Sequence, residues 1–364
     1  MNLTAFILWE MRPEIWPGSA LPLRWYGLFF AAAFAAGQII ISRIFRRDGK
    51  PQKDVDALTY YMIAGTVLGA RLGHCLFYQP EYYLLNPFEI LKVWEGGLAS
   101  HGATVGIIVA MWLYSRKRKD QSWLWILDRI VIVVALGGSL IRLGNLMNSE
   151  IIGKPADLPW AMVFLQPFET ILRDQDPNLI QSFSIRKEGT DVVAEGRTYK
   201  KLMLTLDFAK NGPGKEEATA FVKNYLPVMI RSANGDEENL RVIPDAEPDF
   251  SAGENGLSCS VALLGLPRHP AMVYESISTF CLFLALFLLW QKNPSLPEGR
   301  IFGLFVVLLF TLRFFYEFLK ENQVEFEDSL SLNMGQFLSI PMILAGIWIL
   351  SRSFSTDKGS VPSK

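Results

Sequence analysis

The sequence predicts an all-α polytopic membrane protein with seven transmembrane helices, an outside N-terminus, a cytoplasmic C-terminus and a small α+β extracytoplasmic insert. Three observations lead to this prediction. Half of the 364 residues are hydrophobic and the mean hydropathy is +0.22, which is high for a soluble chain. Seven apolar runs come close to the about 20 residues that a helix needs to cross a bilayer. Basic residues collect beside alternate runs, and one long polar segment interrupts the series.

The seven apolar runs define the expected membrane helices. They are separated by charged residues or by glycine and proline, which commonly interrupt helices. The second, third and fifth runs are less clear than the others, because polar residues enter their ends. The expected spans are Trp25–Phe45, Ala57–Tyr78, Gly102–Tyr114, Trp123–Leu143, Met272–Trp290, Ile301–Leu319 and Gly335–Leu350.

Basic clusters predict the orientation of these spans. With seven spans, all four clusters fall on the same side of the membrane. Cytoplasmic loops of membrane proteins carry an excess of lysine and arginine, so this side is expected to be cytoplasmic and the N-terminus to be outside. The clusters are Arg43, Arg46, Arg47, Lys50 and Lys53; Arg116, Lys117, Arg118 and Lys119; Lys292 and Arg300; and Arg352, Lys358 and Lys364.

The chain is expected to divide into four regions. Residues 1–156 form the first part of the membrane domain, with four helices, and residues 267–352 form its second part, with three. Residues 157–266 form the extracytoplasmic insert, and residues 353–364 form a cytoplasmic tail.

The insert is too polar to span a bilayer and too long for a simple loop. Alternating residues and turn signals in Ser182–Phe208 predict two or three strands. An amphipathic helix is expected at Lys215–Ala233, after a Gly-Pro-Gly turn. We expect no catalytic residue in this insert.

Composition argues against several classes of function. A formal net charge of −1 gives no overall basic field, so binding to nucleic acid is not expected. The three cysteines, Cys75, Cys259 and Cys281, provide neither a disulfide framework nor metal-ligand spacing. The sequence therefore predicts no metal and no cofactor.

The stretch Arg142–Pro155 has the most unusual polar content. It follows the apolar run Ile130–Ile141 and contains an arginine, two asparagines and a glutamate before Gly153 and Pro155. A membrane helix seldom ends in so many hydrogen-bonding groups unless they face a cavity or a polar ligand. The alternative is a hydrated helix end whose arginine lies among lipid headgroups, and this stretch alone does not decide between the two.

The predicted topology places polar residues from distant parts of the sequence at one outer membrane depth. Each has an ordinary explanation by itself, as an aromatic-belt residue, an interfacial hydrogen-bonding group or part of a helix-fixing ion pair. Arg71 and His74 in the second span are expected to be packing or headgroup contacts. The interpretation rests on the other residues, which all lie on the outer side in this topology. They are Tyr26, His101, Arg142, Asn145, Tyr274, Glu275, Arg313, Glu317, Asn333 and Gln336.

These residue types suit chemistry on a phospholipid headgroup. The planar fork of an arginine pairs bidentately with a phosphate. A histidine can remove a proton near neutral pH. Carboxylates such as Glu275 and Glu317 can orient the arginines and the histidine through hydrogen bonds. Together, these groups predict a reaction on a phospholipid of the outer leaflet.

Five blocks of the sequence together resemble the prolipoprotein diacylglyceryl transferase family. The block closest to the family's signature is Arg142-Leu-Gly-Asn-Leu-Met-Asn-Ser-Glu-Ile-Ile-Gly153. The blocks keep the family's order over about 250 residues, which is far more specific than any single motif. Two features depart from the family: Ala103 stands where a second glycine is usual, and the insert is longer than in many members. The other four blocks are Leu23–Leu28, Trp94–Gly97 through Gly102, Gly265–Pro270 through Glu275, and Arg313–Glu317 with Met334–Gln336.

The resemblance implies a seven-helix enzyme of the bacterial inner membrane. It would transfer the diacylglyceryl group of phosphatidylglycerol to the thiol of the lipobox cysteine in a prolipoprotein signal peptide, and glycerol phosphate would leave. Membrane lipids would be its other partners. By motif position, the expected catalytic residues are Tyr26, His101, Arg142, Arg313 and Glu317. The residues expected to bind phosphatidylglycerol are Arg142, Asn145, Asn148, Gly153, Glu275 and Arg313.

Two residues are candidates for the general base. A thiol, with a pKa of about 8.5, is mostly protonated at neutral pH and needs a base. His101 is the expected base, and Tyr26 is the less favoured choice because a phenol titrates near pH ~10.

Two other classes of function stay open. A non-catalytic membrane lipid transporter or headgroup-binding protein would use the same arginines without covalent chemistry. The absence of a visible internal repeat counts mildly against a transporter. An extracytoplasmic scaffold would instead carry its function in the insert.

Overall fold

A computed structural model describes most of the chain. Of the sequence features named above, Trp94, Glu95 and Gly96 lie outside the described residues, as does the end of the tail at residues 359–364. The described residues are 5–18, 23–92, 97, 99–176, 179–235, 238–243, 246–253, 256–293, 295–321 and 330–358.

Helices dominate the structure. They are α1 (Trp25–Arg47), α2 (Gln52–Phe77), α3 (Pro80–Leu85), α4 (Ser100–Arg116), α5 (Trp123–Met147), α6 (Gln166–Arg173), α7 (Lys215–Ala220), α8 (Leu226–Asn234), α9 (Ala271–Lys292), α10 (Arg300–Tyr316) and α11 (Met334–Lys358). The strands are β1 (Ile7–Trp9), β2 (Met162–Phe164), β3 (Ile180–Lys187), β4 (Val192–Ala194), β5 (Arg197–Phe208), β6 (Leu240–Val242), β7 (Asp249–Gly253) and β8 (Gly256–Gly265).

Within the described residues, five helices are long and apolar enough to cross a membrane. The chain is therefore a polytopic membrane protein, as predicted. Helices α2 and α4, at two further expected spans, are 26 and 17 residues long but are not among the five. The five are Trp25–Arg47, Trp123–Met147, Ala271–Lys292, Arg300–Leu319 and Met334–Ser355.

The chain folds into two compact units. We call the first the sheet unit; it comprises Met1–Leu28, Arg142–Glu275 and Tyr316–Ser331. We call the second the helical unit; it comprises Phe29–Ile141, Ser276–Phe315 and Leu332–Lys364.

The helical unit has an apolar core built from its long helices. Phe45 of α1, Met111 of α4, Ile126 of α5 and Leu286 of α9 are fully buried in one cluster. By contrast, most apolar side chains of α11 and several of α1 are exposed, and only 17% of each membrane-spanning window is buried. An exposed apolar surface of this extent is expected where helices contact acyl chains rather than water.

Buried carboxylates in the helical unit are neutralised within it. Asp48 pairs with Arg129 at 2.9 Å, and only 9% of each side chain is exposed. Asp128 accepts hydrogen bonds from the backbone N–H groups of Gly299 at 2.8 Å and Phe302 at 2.7 Å. These amides belong to the start of α10, where a helix has unsatisfied donors, so Asp128 caps α10 from within α5.

Helices α2 and α4 pack backbone against backbone through glycines. A Cβ added to Gly69 would lie 2.4 Å from the carbonyl oxygen of Gly102, and one added to Gly106 would lie 2.1 Å from that of Gly65. Small residues at four-residue spacing allow this close approach between membrane helices. The packing fixes the first turn of α4, which carries His101.

In the sheet unit, the described residues form a six-stranded sheet with a buried face. Its strand order is β3-β5-β8-β6, with β4 paired to β5 and β7 paired to β8, and all of these pairs are antiparallel. Alternate residues of β5 (Leu202, Leu204, Leu206 and Phe208) are fully buried. They pack in one apolar cluster with residues of α6 and α8, so the helices cover one face of the sheet.

The strands and the helix expected within the insert are present. Strands β3, β4 and β5 occupy the region predicted to hold two or three strands. Helices α7 and α8, joined by a π-helical turn at Phe221–Tyr225, occupy the predicted amphipathic helix. The sequence did not predict the parallel pairing of β1 with β2, which joins residues about 150 positions apart.

The tight glycine contact between α2 and α4 leads to a stability prediction. Gly106→Ala forces a methyl group against a backbone carbonyl, and overpacking of this kind typically costs about 1–3 kcal/mol. We expect a lower melting temperature of the purified protein in detergent. Gly138→Ala in α5 is the matched control, because nothing lies within 4 Å of its added Cβ, and it should not lower the melting temperature. Equal melting temperatures for both variants would contradict the proposed contact.

Candidate active site

The C-terminal end of α5 and the loop after it form the centre of the polar site. Ser149 and Ile151 adopt positive φ angles of 53° and 57°, which is unusual for residues other than glycine and especially for a β-branched one. Such backbone costs about 1–3 kcal/mol per residue and tends to occur at functional sites. The turn brings Glu150 back onto the end of α5, where its N–H donates to the carbonyl of Asn145 at 3.0 Å.

Two asparagines hold the carboxylate of Glu150. Asn145 Nδ2 donates to Glu150 Oε2 at 2.8 Å, and Asn148 Nδ2 donates to Glu150 Oε1 at 3.1 Å. Asn145 is 7% exposed, so its amide is fixed inside the protein. The two asparagines of the signature are thus tied to one carboxylate that sequence reasoning did not single out.

Arg142 lies one helical turn before Asn145 and forms an ion pair with Glu275. Its Nε donates to Glu275 Oε2 at 2.6 Å, and its Nη1 donates to Asn145 Oδ1 at 3.3 Å. The side chain of Arg142 is 24% exposed and that of Glu275 is 11% exposed. A guanidinium has five N–H donors, and this one is partly exposed, so it can also donate to a phosphate.

Lys320 extends this pair into a row of alternating charges. Its Nζ contacts Glu275 Oε1 and lies 3.4 Å from Glu317 Oε1. Only 6% of the Lys320 side chain is exposed. Lys320 was not among the residues predicted from the sequence. Its position three residues after Glu317 was nevertheless a signal that the two side chains could lie on one helix face.

Gly153 lies where three segments of the sheet unit meet. Its N–H donates to the carbonyl of His269 at 3.0 Å, and a Cβ added there would lie 2.6 Å from that of His269 and 2.8 Å from the carbonyl oxygen of Leu319. The buried Arg268 donates to the carbonyl of Gly153 at 3.1 Å. No side chain fits at this junction, so a glycine is required there for packing.

Tyr26 lies against the same helix end. A Cβ at Gly144 would lie 2.7 Å from Tyr26 Cδ2, so the tyrosine ring packs directly on the backbone of α5. It is close enough to Arg142 and Glu150 for electrostatic interaction. The sheet unit thus brings together Tyr26, Arg142, Asn145, Asn148, Gly153, Glu275 and Glu317.

The other two predicted residues belong to the helical unit. His101 lies in the first turn of α4 and is exposed, with its ring 5.0 Å from that of Phe77 and 6.0 Å from that of Tyr78. Arg313 is exposed in the last turn of α10. Their convergence with Arg142 stays a prediction.

The other residues predicted to lie at the outer membrane depth form hydrogen bonds with nearby residues. Asn333 and Gln336 exchange hydrogen bonds at the start of α11, where the amide of each side chain accepts from the backbone N–H of the other at 2.9 and 3.1 Å. Tyr274 OH accepts from Trp160 Nε1 at 2.7 Å and lies 3.3 Å from His269 Nδ1. Within the described residues, no group of three histidine, cysteine or acidic side chains could hold a metal ion.

Comparison with known proteins identifies the family. Residues 13–352 match the family described as prolipoprotein diacylglyceryl transferase. A phosphatidylglycerol–prolipoprotein diacylglyceryl transferase of Chloroherpeton thalassium is 34% identical over 354 residues, which are 97% of this chain and 96% of the relative. Proteins of the same name from Porphyromonas gingivalis and Tolumonas auensis are 33% and 32% identical, over 97% and 94% of this chain and 96% of each relative.

The chain belongs to the prolipoprotein diacylglyceryl transferase family. The resemblance seen in the five sequence blocks is thereby confirmed, and the chain is a transferase. The family match includes every predicted site residue, from Tyr26 to Glu317.

Lys320 gives a prediction for the candidate site. Lys320→Met removes a buried cation that contacts Glu275 and lies beside Glu317, and breaking a buried ion pair by removing one partner typically costs about 3–5 kcal/mol. We expect lower thermal stability and a lower rate of diacylglyceryl transfer, with Lys320→Arg retaining most of both. The two measurements are the melting temperature in detergent and the initial rate with a thiol peptide. A methionine variant as stable and active as the parent would contradict a role for the amine.

His269 predicts a dependence of stability on pH. Burial lowers the pKa of His269 below its usual value. As pH falls below about 6.5, the imidazole of His269 is therefore protonated in the unfolded chain before it is protonated in the folded protein. The folded state loses stability as a result. Melting temperatures measured from pH 5 to pH 8 should decrease on the acid side, and His269→Asn should remove part of that decrease. The same acid slope in the variant would assign the effect to other groups.

Proposed function

We propose that the chain transfers the diacylglyceryl group of phosphatidylglycerol to the thiol of the lipobox cysteine in prolipoprotein signal peptides. The product is a thioether, and glycerol phosphate leaves. The observation that carries this proposal is the match to the transferase family over residues 13–352, with named relatives aligned along almost the whole chain. The charged row around Arg142 supplies groups suited to a phosphate.

The proposed setting is the bacterial inner membrane, with seven spans, the N-terminus outside and residues 157–266 as an extracytoplasmic insert. Helices α2 and α4 complete the seven beside the five apolar spans. At 1.5 Å per residue, the 26 residues of α2 reach about 39 Å and the 17 residues of α4 about 26 Å, against a hydrocarbon thickness of about 30 Å. The basic clusters then all face the cytoplasm.

The first chemical step is removal of the thiol proton. Burial near the membrane raises the pKa of a thiol further above about 8.5, so an uncatalysed thiolate would be scarce. His101 takes this proton in our proposal, since it is exposed at the start of α4, whose backbone packs closely on α2 through glycines. Tyr26 is the alternative base.

Displacement of the headgroup follows. The thiolate sulfur forms a bond to the glycerol carbon that carries the phosphate ester, and the carbon–oxygen bond to the phosphate breaks. The electron pair leaves with glycerol phosphate, which can accept the proton held by His101. Arg142 and Arg313 hold the departing phosphate, where preorganised donors stabilise the developing charge.

The remaining predicted residues position these groups. Glu275 orients Arg142 through the 2.6 Å ion pair. Glu317 acts through Lys320 and, in this proposal, also on Arg313. Asn145 and Asn148 hold the loop that includes Gly153, and they add neutral donors for the phospholipid headgroup.

Loss of Arg142 or His101 should abolish most of the transfer. Removing one donor to a developing charge typically reduces the rate about 10²–10³-fold, so we expect a loss of that order for Arg142→Ala. Loss of the base in His101→Ala should be at least as severe. Arg186→Ala, an exposed arginine of β3, is the matched control and should retain full activity. The assay is mass spectrometry of a lipobox peptide incubated with phosphatidylglycerol and purified protein in vesicles.

The same assay separates the alternatives. A non-catalytic lipid transporter would give no thioether in any variant but would move labelled phosphatidylglycerol between leaflets. Full thioether formation in both His101→Ala and Arg142→Ala would remove these residues from the mechanism.

A further inference from the structure

A short segment after α2 exposes a dense set of large apolar side chains. This segment, residues 80–91, comprises α3 and a 3-10 helix at Pro87–Leu91, and we call it the apolar arm. Leu84 is 76% exposed, Leu85 82% and Phe88 81%. In water, such clustering at one site is unusual for a folded protein and generally marks an interaction surface.

The apolar arm is held to the helical unit by a buried arginine. Arg71 of α2 is 4% exposed, and it donates to the carbonyl of Glu89 at 2.6 Å and to that of Ile90 at 2.9 Å. Its guanidinium also lies 5.1 Å from the ring centre of Tyr83, the buried residue of α3. The arginine thus serves packing, one of the two roles expected for it, and it fixes the arm with the apolar side chains outward.

The exposed surface of the arm continues that of α2. Leu72, Leu76 and Phe77 are exposed along the end of α2 and lead directly into the arm. The arm also exposes two polar residues, Glu81 and Asn86, whereas Glu89 is partly buried and its carboxylate pairs with Lys92 at 2.7 Å. The arm therefore has an amphipathic exposed surface, with more large apolar side chains than polar ones, next to an apolar helix face in a multi-pass membrane protein.

We propose that the apolar arm inserts into the bilayer at the boundary between headgroups and acyl chains, and thereby anchors the end of α2 beside His101. Short amphipathic helices lie in this plane when one side is apolar and the other polar. Acyl chains are the occupant favoured by the continuity with α2, since the lipid that contacts the spans would extend over the arm. The ring of His101 contacts Phe77 and Tyr78, which immediately precede the arm.

Site-directed spin labelling tests this proposal in vesicles of phosphatidylglycerol and phosphatidylcholine. Leu85→Cys and Phe88→Cys are labelled in a Cys281→Ser background, because Cys75 and Cys259 are buried. Leu344→Cys, exposed in the span α11, is the reference for lipid, and Val193→Cys, exposed on β4, is the reference for water. The measured quantity is collision with oxygen, which concentrates in lipid, relative to a water-soluble nickel complex.

We expect the ratio of oxygen to nickel accessibility at positions 85 and 88 to be several-fold higher than at position 193. Ratios equal to that at position 193 would place the arm in water and overturn the proposal. Low accessibility to both reagents would also overturn it, because the arm would then be covered by protein, such as a second copy of the chain. The result does not depend on diacylglyceryl transfer, so failure of the anchor and failure of the proposed function are distinguishable.

The tether is tested with the same labels. Arg71→Ala should release the arm and increase the mobility of a label at position 85, seen as narrowing of the spectrum, whereas a label at position 344 should not change. An unchanged spectrum at position 85 would show that Arg71 does not hold the arm.

Discussion

The pairing of Arg142 with Glu275 is the interaction on which the site depends. A charge at the end of a membrane helix is costly unless it is paired, and here the partner lies more than a hundred residues away in the sequence. Glu275 also contacts Lys320, which in turn lies beside Glu317. The alternating signs neutralise each carboxylate inside the protein and fix the guanidinium in one orientation.

Close backbone contacts supply the geometry that these charges need. Gly153 allows the loop after α5 to contact the backbone at His269 and Leu319. These two residues are close in the sequence to Glu275 and Glu317. In the helical unit, the glycines of α2 and α4 have the same effect for the turn that carries His101. In both places a side chain is excluded, because the backbone itself is the packing surface.

Features that depend on residues close together in the sequence could be predicted, whereas features that depend on distant residues could not. Apolar runs and alternating strands are local patterns, so the five long apolar spans and strands β3 to β5 were predictable. The charged residues at the end of α5 were recognisable because they follow an apolar run. Lys320 and the left-handed backbone of Ile151 were not, since the first depends on a distant carboxylate and the second on the loop around it. Hydropathy also does not reveal how closely α2 and α4 pack, because this packing depends on their glycines.

The charge balance of the sheet unit explains why the proposed mechanism includes a second arginine. Three carboxylates, of Glu150, Glu275 and Glu317, lie around two cations, Arg142 and Lys320. These five groups carry one net negative charge, which by itself does not favour the phosphate of phosphatidylglycerol. Arg142 and Lys320 share Glu275, and a further positive charge would help to hold a departing anion. Arg313 is the proposed source of that charge.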